Sequence, residues 1–136
     1  MVREINRDVI LLGRPSTMAT EADLSIGKDL RDTLEAHKDG CVGMAANMIG
    51  EGKRIIAFYD EGEIFVFYNP ILLKKEGPYD TEEGCLSLDG VRVTKRYKRI
   101  KVQYQNERMQ IRQKTYTGWT AQIIQHEMDH LDGILI

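Results

Sequence analysis

Two histidines near the end of the chain constrain this sequence more than any other feature. They belong to an H-E-x-x-H pattern that runs from His126 to His130. Residues four apart on a helix share one face, so both imidazoles can reach a single metal ion. The acidic residue between them, Glu127, can hold the proton of a water bound to that metal. The alternative is two surface histidines on a polar helix, but the flanking Ile124 and Leu131 indicate a buried one.

A catalytic metal site of this kind needs a third protein ligand and one open position. Cys85 is the best candidate, and it lies in the sequence EGCLS. A free cysteine is usually a small buried hydrophobe, but a histidine pair elsewhere in the chain favours a ligand. A third histidine or a distant glutamate is the competing arrangement, and no downstream residue remains to supply it. A closed structural Cys₂His₂ zinc site, with Cys41 as fourth ligand, is a further alternative.

Length and charge limit the other possibilities. The chain has 136 residues, so we expect one domain over residues 1–136. Its net charge of -2 argues against a nucleic-acid binder driven by bulk charge. The basic stretch from Lys95 to Lys101 is interpreted as an exposed loop followed by the outer face of a strand. We therefore expect no nucleic-acid partner.

The N-terminal sequence and the cysteines bear on location. The apolar run from Val9 to Leu12 is too short for a signal peptide or a transmembrane span, so no membrane association is expected. The two cysteines do not make a disulfide framework. A reducing cytoplasm is the predicted compartment.

The pattern of apolar residues predicts an α+β domain. A first helix is predicted to begin near Thr20 and to end before Gly40, and a last helix to cover Trp119 to Leu131. Between them we predict strands over Arg54–Tyr59, Glu63–Tyr68, Arg99–Tyr104 and Met109–Tyr116. The order of these elements indicates antiparallel sheets packed around a central helix that carries the H-E-x-x-H motif.

Three segments together resemble the peptide deformylase family. EGCLS at Glu83–Ser87 and QHEMDHLDG at Gln125–Gly133 match two signature motifs of that family, and CVGMAANM at Cys41–Met48 is similar to the third. The resemblance implies hydrolysis of the formyl group from N-formylmethionyl nascent peptides. It implies one divalent metal ion held by Cys85, His126 and His130, iron(II) in the cell, with nickel, cobalt or zinc as substitutes.

The resemblance also implies roles for other residues. Glu127 would take the proton of the attacking water and pass it to the leaving amine. The backbone N–H of Leu86 would stabilise the oxyanion. Backbone groups at Val42, Gly43 and Gly84 would pair with the peptide as an added strand.

Departures from the family pattern concern the substrate site. Met48 replaces a glutamine whose amide donates to the oxyanion, and a thioether cannot donate. Asn47 and Gln122 are nearby amides. Gln122 shares the helix face of both histidines, so we hypothesise that it makes the methionine pocket more polar and contacts the substrate. The alternative is that Gln122 is a surface glutamine of the helix. Arg96 matches a family arginine near the substrate mouth. The tail through which some members contact the ribosome is missing after the last helix, so contact by that route is not expected.

Three functions are compatible with these residues. The first is a deformylase, slowed by Met48, that acts on N-formylmethionyl peptides. The second is a related metal-dependent amidase for another N-acyl or peptide substrate, suggested by Met48 and Gln122. The third is a metal-binding pseudoenzyme or regulatory binder, which the presence of Glu127 disfavours.

Overall fold

The computed structural model describes all 136 residues and has three α-helices and five strands. The helices are α1 (Val9–Leu12), α2 (Leu24–Ala36) and α3 (Gly118–Leu131), and the strands are β1 (Gly43–Ala45), β2 (Ile55–Asp60), β3 (Glu63–Cys85), β4 (Leu88–Gln105) and β5 (Ile111–Thr117). Short 3₁₀ helices cover Glu21–Asp23 and Ala46–Ile49. No helix is long and apolar enough to cross a lipid bilayer.

The five strands form one antiparallel sheet in the order β1-β2-β3-β4-β5. The predicted α+β class is therefore confirmed. The helix predicted to begin near Thr20 is α2, and it begins later, at Leu24. The residues after Thr20 form a 3₁₀ turn instead, in which the Thr20 N–H donates to Asp23 Oδ2 at 2.9 Å. That bond is half of the capping box that the sequence suggested.

Strands β2 and β3 are buried on both faces where they pair. Ile55, Ala57 and Tyr68 belong to a core that α2 covers. Ile56 and Phe58 point the other way, into a second core shared with Ile124 of α3. Because neighbouring residues of a strand face opposite sides, this part of the sheet lies between the two helices. Helix α3 is thereby held as a buried element.

Two strands are much longer than predicted. The sequence pattern ends β3 at Tyr68 and begins β4 at Arg99, whereas the two strands continue as a paired ribbon to Cys85 and Leu88. Much of this ribbon is exposed, so its side chains show no clear apolar alternation. Pro70 lies at a register shift, where its missing N–H is tolerated. The far end of the ribbon carries Cys85 back to α3.

Candidate metal centre

Three predicted ligands come together where the ribbon ends against α3. The ligand atoms of Cys85, His126 and His130 lie within 4.8 Å of one another. The Nε2 atoms of the two histidines are 3.1 Å apart, and His130 is fully buried. One thiolate and two imidazoles form a donor set suited to a divalent transition metal. The residues present thus fit the predicted ion.

The Nε2 atoms of His126 and His130 face each other, so only one of the two can carry a proton. Burial, together with the positive charges of His126 and Arg96, lowers the pKa of His130 to about 3. His130 is therefore a neutral imidazole at pH 7, which is the form that binds metals. The facing Nε2 atoms of the two rings mark the place where a cation would be held.

A buried carboxylate fixes the orientation of the first histidine. Glu83 Oε1 lies 2.7 Å from Nδ1 of His126, which leaves Nε2 to face the other ligands. Burial alone would raise the pKa of Glu83, but hydrogen bonds from His126, Arg96 and Gln122 lower it to about 2. Ligating histidines commonly bond a carboxylate through their second nitrogen in this way. The sequence analysis included Glu83 in the EGCLS segment but predicted no role for it. Its position two residues before the predicted ligand Cys85 could have indicated one.

Arg96 supports that carboxylate instead of lying at the substrate mouth, where the sequence interpretation put it. Its Nη2 lies 2.7 Å from Glu83 Oε1, and its Nη1 lies 2.6 Å from Asp129 Oδ2. The Arg96 side chain is 4% exposed. Arg96 is thus a buried counter-charge for two acidic residues that flank the metal ligands.

Glu127 is a buried carboxylate with an oxygen that accepts no hydrogen bond. It is 4% exposed and its Oε1 has no partner. Burial is the main cause that raises its pKa to about 7. An unpaired buried carboxyl group beside metal ligands, with a pKa near neutrality, can both accept and return a proton.

The close approach of β1 to α3 holds Glu127 in place. A Cβ atom built on Gly43 would lie 2.7 Å from Ile123 Cγ2 and 2.9 Å from Glu127 Oε2. Both distances are far below ordinary contact, so only glycine fits at this position without movement of α3 or of the Glu127 carboxylate.

We predict that Gly43→Ala lowers turnover by displacing Glu127. A misplacement of about 1 Å can cost on the order of 10²-fold in rate. The measurement is the turnover number kcat, with metal content checked in the same samples. Gly52→Ala is the matched control, since a Cβ there meets nothing within 4 Å. Wild-type kcat in Gly43→Ala would show that Glu127 tolerates the added methyl group.

A cavity of about 410 Å³ opens beside the ligands. It is bounded by the segment before and into β1, by the end of β3 and by α3. The predicted residues that line it are Val42, Gly43, Met48, Gly84, Cys85, Leu86, Gln122, His126 and Glu127. His130 lies behind this wall. Trp119, which sequence reasoning did not assign to the site, also lines the cavity and is 61% exposed.

Met48 faces this cavity without offering a donor. It is 1% exposed, and its sulfur accepts the N–H of Ala45 at 3.4 Å. The neighbouring amide does not replace the missing donor, because Asn47 Nδ2 donates to the carbonyl of His130 at 2.8 Å. The side chain of Asn47 is thus engaged away from the cavity.

Gln122 lines the cavity, but its amide is engaged by protein groups. Its Nε2 donates to Glu83 Oε2 at 2.9 Å, and its Oε1 accepts from the Tyr79 hydroxyl at 3.3 Å. It is therefore more than a surface glutamine of α3.

Cys41 lies outside the ligand cluster. Its thiol donates to the carbonyl of Gly43 at 3.0 Å. Burial, with a smaller contribution from the charge of Glu127, raises the pKa of the thiol to about 12. The cluster of ligand atoms comprises Cys85, His126 and His130 without Cys41, so the structure disfavours a closed Cys₂His₂ site.

We expect Cys41→Ser to leave metal stoichiometry and the midpoint of thermal unfolding close to those of wild type. The reason is that Cys41 donates one hydrogen bond, which a serine hydroxyl can also donate. Elemental analysis and a thermal melt are the two measurements. Loss of the metal in Cys41→Ser, with Cys85 intact, would restore the structural zinc alternative.

Comparison with known proteins gives consistent matches. The family profile described as polypeptide deformylase matches residues 11–136. A peptide deformylase from Clostridium beijerinckii is 50% identical over 136 residues, which is all of both chains. One from Dictyoglomus thermophilum is 37% identical and covers all of this chain and 91% of its own.

Solved structures agree with this fold. The crystal structure of the Thermotoga maritima peptide deformylase superposes with a TM-score of 0.88 at 30% identity, over 99% of this chain and 95% of that one. A peptide deformylase from Acinetobacter baumannii, crystallised with Met-Ala-Ser bound, has a TM-score of 0.89 at 25% identity, over 99% and 97% of the two chains.

Proposed function

This chain belongs to the peptide deformylase family, and we propose that it removes the formyl group from N-formylmethionyl nascent peptides. It is a metal-dependent hydrolase with the Cys85, His126 and His130 metal-binding triad of that family. The observation that carries the proposal is the position of Glu127, buried and unpaired against the cavity beside those ligands. We further propose that residues 1–136 act as one catalytic domain.

We propose iron(II) as the ion in the cell, with nickel, cobalt or zinc as substitutes in the purified protein. Cys85 would supply the thiolate, and His126 and His130 the imidazoles. When bound, the ion supplies Lewis acidity that activates a water for attack on the formyl carbon. The clustered thiol and imidazole donors support a divalent transition metal at this site.

Glu127 moves the protons of the reaction in this proposal. Its Oε1 is free to accept a proton from the attacking water and then to deliver it to the amine that leaves. The backbone N–H of Leu86, at the wall of the cavity, donates to the developing oxyanion. Because Met48 cannot donate, the Leu86 N–H stabilises that oxyanion with one protein donor fewer than in a glutamine-bearing site.

The substrate peptide is proposed to add to the sheet at β1. This strand pairs only with β2, so its other edge is free to receive a peptide strand. Val42 and Gly43 line the cavity from that edge, and Gly84 lines it from the opposite wall. The Met-Ala-Ser complex of the Acinetobacter relative supports a peptide of this type. Gln122 and Met48 complete the proposed substrate site around the methionine side chain.

Nascent peptides are made by ribosomes, so we propose that the protein acts in the cytoplasm. Its two free cysteines are compatible with a reducing compartment. No ribosome-binding segment is assigned.

The proposed function is tested through the protein's preference for the acyl group on the peptide's N-terminus. The experiment compares formyl-Met-Ala-Ser with acetyl-Met-Ala-Ser, using protein purified anaerobically and loaded with iron or nickel. The proposal expects kcat/KM for the formyl peptide to exceed that for the acetyl peptide. A preference for the acetyl peptide would favour the related amidase that Met48 and Gln122 suggest. Turnover of neither peptide by the loaded protein would favour a binding role.

A further inference from the structure

A chain of hydrogen bonds leads from the surface of the ribbon to a metal ligand. The Tyr79 hydroxyl donates to Gln122 Oε1 at 3.3 Å, and Gln122 Nε2 donates to Glu83 Oε2 at 2.9 Å. The other oxygen of Glu83 meets His126 Nδ1 at 2.7 Å. Four residues from two elements are thus connected by three hydrogen bonds.

Strand and helix geometry explains why these residues meet. Tyr79 and Glu83 are four positions apart on β3, an even spacing, so their side chains share one face of the ribbon. Gln122 and His126 are four apart on α3 and share one helix face. The Gln122 amide therefore bridges the strand that carries Glu83 and the helix that carries the ligand.

Arg96 contacts both oxygens of Glu83, and each oxygen has one further partner. Oε1 receives the shortest contact from Arg96, at 2.7 Å, as well as the contact with His126. Gln122 and the Nε of Arg96, at 3.0 Å, reach Oε2. Loss of the Gln122 donor would leave Arg96 as the one partner of Oε2, so the carboxylate that orients the ring of His126 would be held by one hydrogen bond fewer.

We propose that Gln122, held by Tyr79, is a positioning residue for His126 that acts through Glu83. The inference rests on the proposed metal-dependent function. It differs from a direct role in reading the substrate, because the amide oxygen and one N–H face protein groups. It also explains how a glutamine fits a pocket for an apolar methionine side chain: its methylene groups line the wall while its polar end is bonded behind it.

The experiment measures metal affinity, which is independent of turnover. Wild type, Gln122→Met and Tyr79→Phe are titrated with zinc(II) against a competing chelator, and the visible absorption spectrum of each cobalt(II) form is recorded. Gln122→Met keeps the length of the side chain and removes its donor. Outer partners of ligating histidines typically contribute about 10- to 100-fold in metal affinity. We expect a loss in that range for Gln122→Met, a smaller loss for Tyr79→Phe, and altered cobalt bands in both.

Trp119→Leu is the control, because Trp119 lines the same cavity and has no hydrogen bond to Glu83. Thermal melts of the metal-free proteins show whether each variant is folded. A zinc affinity of folded Gln122→Met within twofold of wild type, with an unchanged cobalt spectrum, would overturn the inference. If KM for the formyl peptide then changed tenfold, Gln122 would be a substrate contact. Absence of deformylation in wild type would contradict the proposed function alone.

Discussion

Glu127→Ala is expected to lower kcat for formyl-Met-Ala-Ser by about 10²–10⁴-fold, the usual contribution of a positioned acid–base group. The reason is geometric, since Glu127 is the carboxylate that lies unpaired beside the ligands and faces the cavity. Metal content should stay at the wild-type level, because Glu127 is outside the ligand cluster. The measurement is single-substrate kinetics on protein whose metal stoichiometry is known.

Glu127→Gln is the matched control for that variant. It preserves the size of the side chain but cannot take a proton, so its kcat should fall by a similar factor. Removing an unpaired buried carboxyl group also relieves a desolvation cost, and both variants should unfold at or above the wild-type temperature. Retention of wild-type kcat in either variant would move the proton-transfer role to another residue.

Met48→Gln is expected to raise kcat by about 10²–10³-fold, the typical value of one oxyanion donor. Glutamine and methionine have similar lengths, and Met48 is buried at the wall of the cavity. Its sulfur accepts the N–H of Ala45, a bond that the glutamine oxygen can also accept. The glutamine NH₂ group would then be free to face the formyl oxygen.

Met48→Leu is the control that separates the effect of a hydrogen-bond donor at position 48 from the effect of side-chain packing there. It keeps a similar volume and offers neither donor nor acceptor, so kcat should stay within a few-fold of wild type. The comparison of kcat for the three proteins is the measurement. If Met48→Gln gave no gain and Met48→Leu lost activity, the thioether itself would have a role in the site.

The parts of the fold that the sequence predicted well are those in which apolar spacing dominates. Helix α3 was predicted over Trp119–Leu131 and is observed over Gly118–Leu131, because its apolar face packs against the sheet. Strand β2 was predicted within one residue at each end, since its buried run is continuous. The two histidine ligands followed from the H-E-x-x-H motif, whose spacing matches the helical repeat, and Cys85 followed from the EGCLS segment.

Other features depend on tertiary contacts and escaped prediction. The ribbon of β3 and β4 buries charged residues such as Glu83 and Arg96 instead of an apolar face, so its sequence lacks the alternation of apolar residues that predicts a strand. Arg96 was placed at the substrate mouth because it matches a family arginine near that mouth. Its burial requires both Glu83 and Asp129, and their convergence is visible only in the folded chain.

Release of formate from formyl-Met-Ala-Ser by iron-loaded wild-type protein tests most directly whether the protein is a metal-dependent deformylase. We expect turnover to disappear when a chelator removes the metal and to return when iron(II) or nickel(II) is added back under anaerobic conditions. Turnover that persists without metal, or its absence in protein with a full complement of metal, would contradict the claim that Cys85, His126 and His130 hold the ion of a working deformylase.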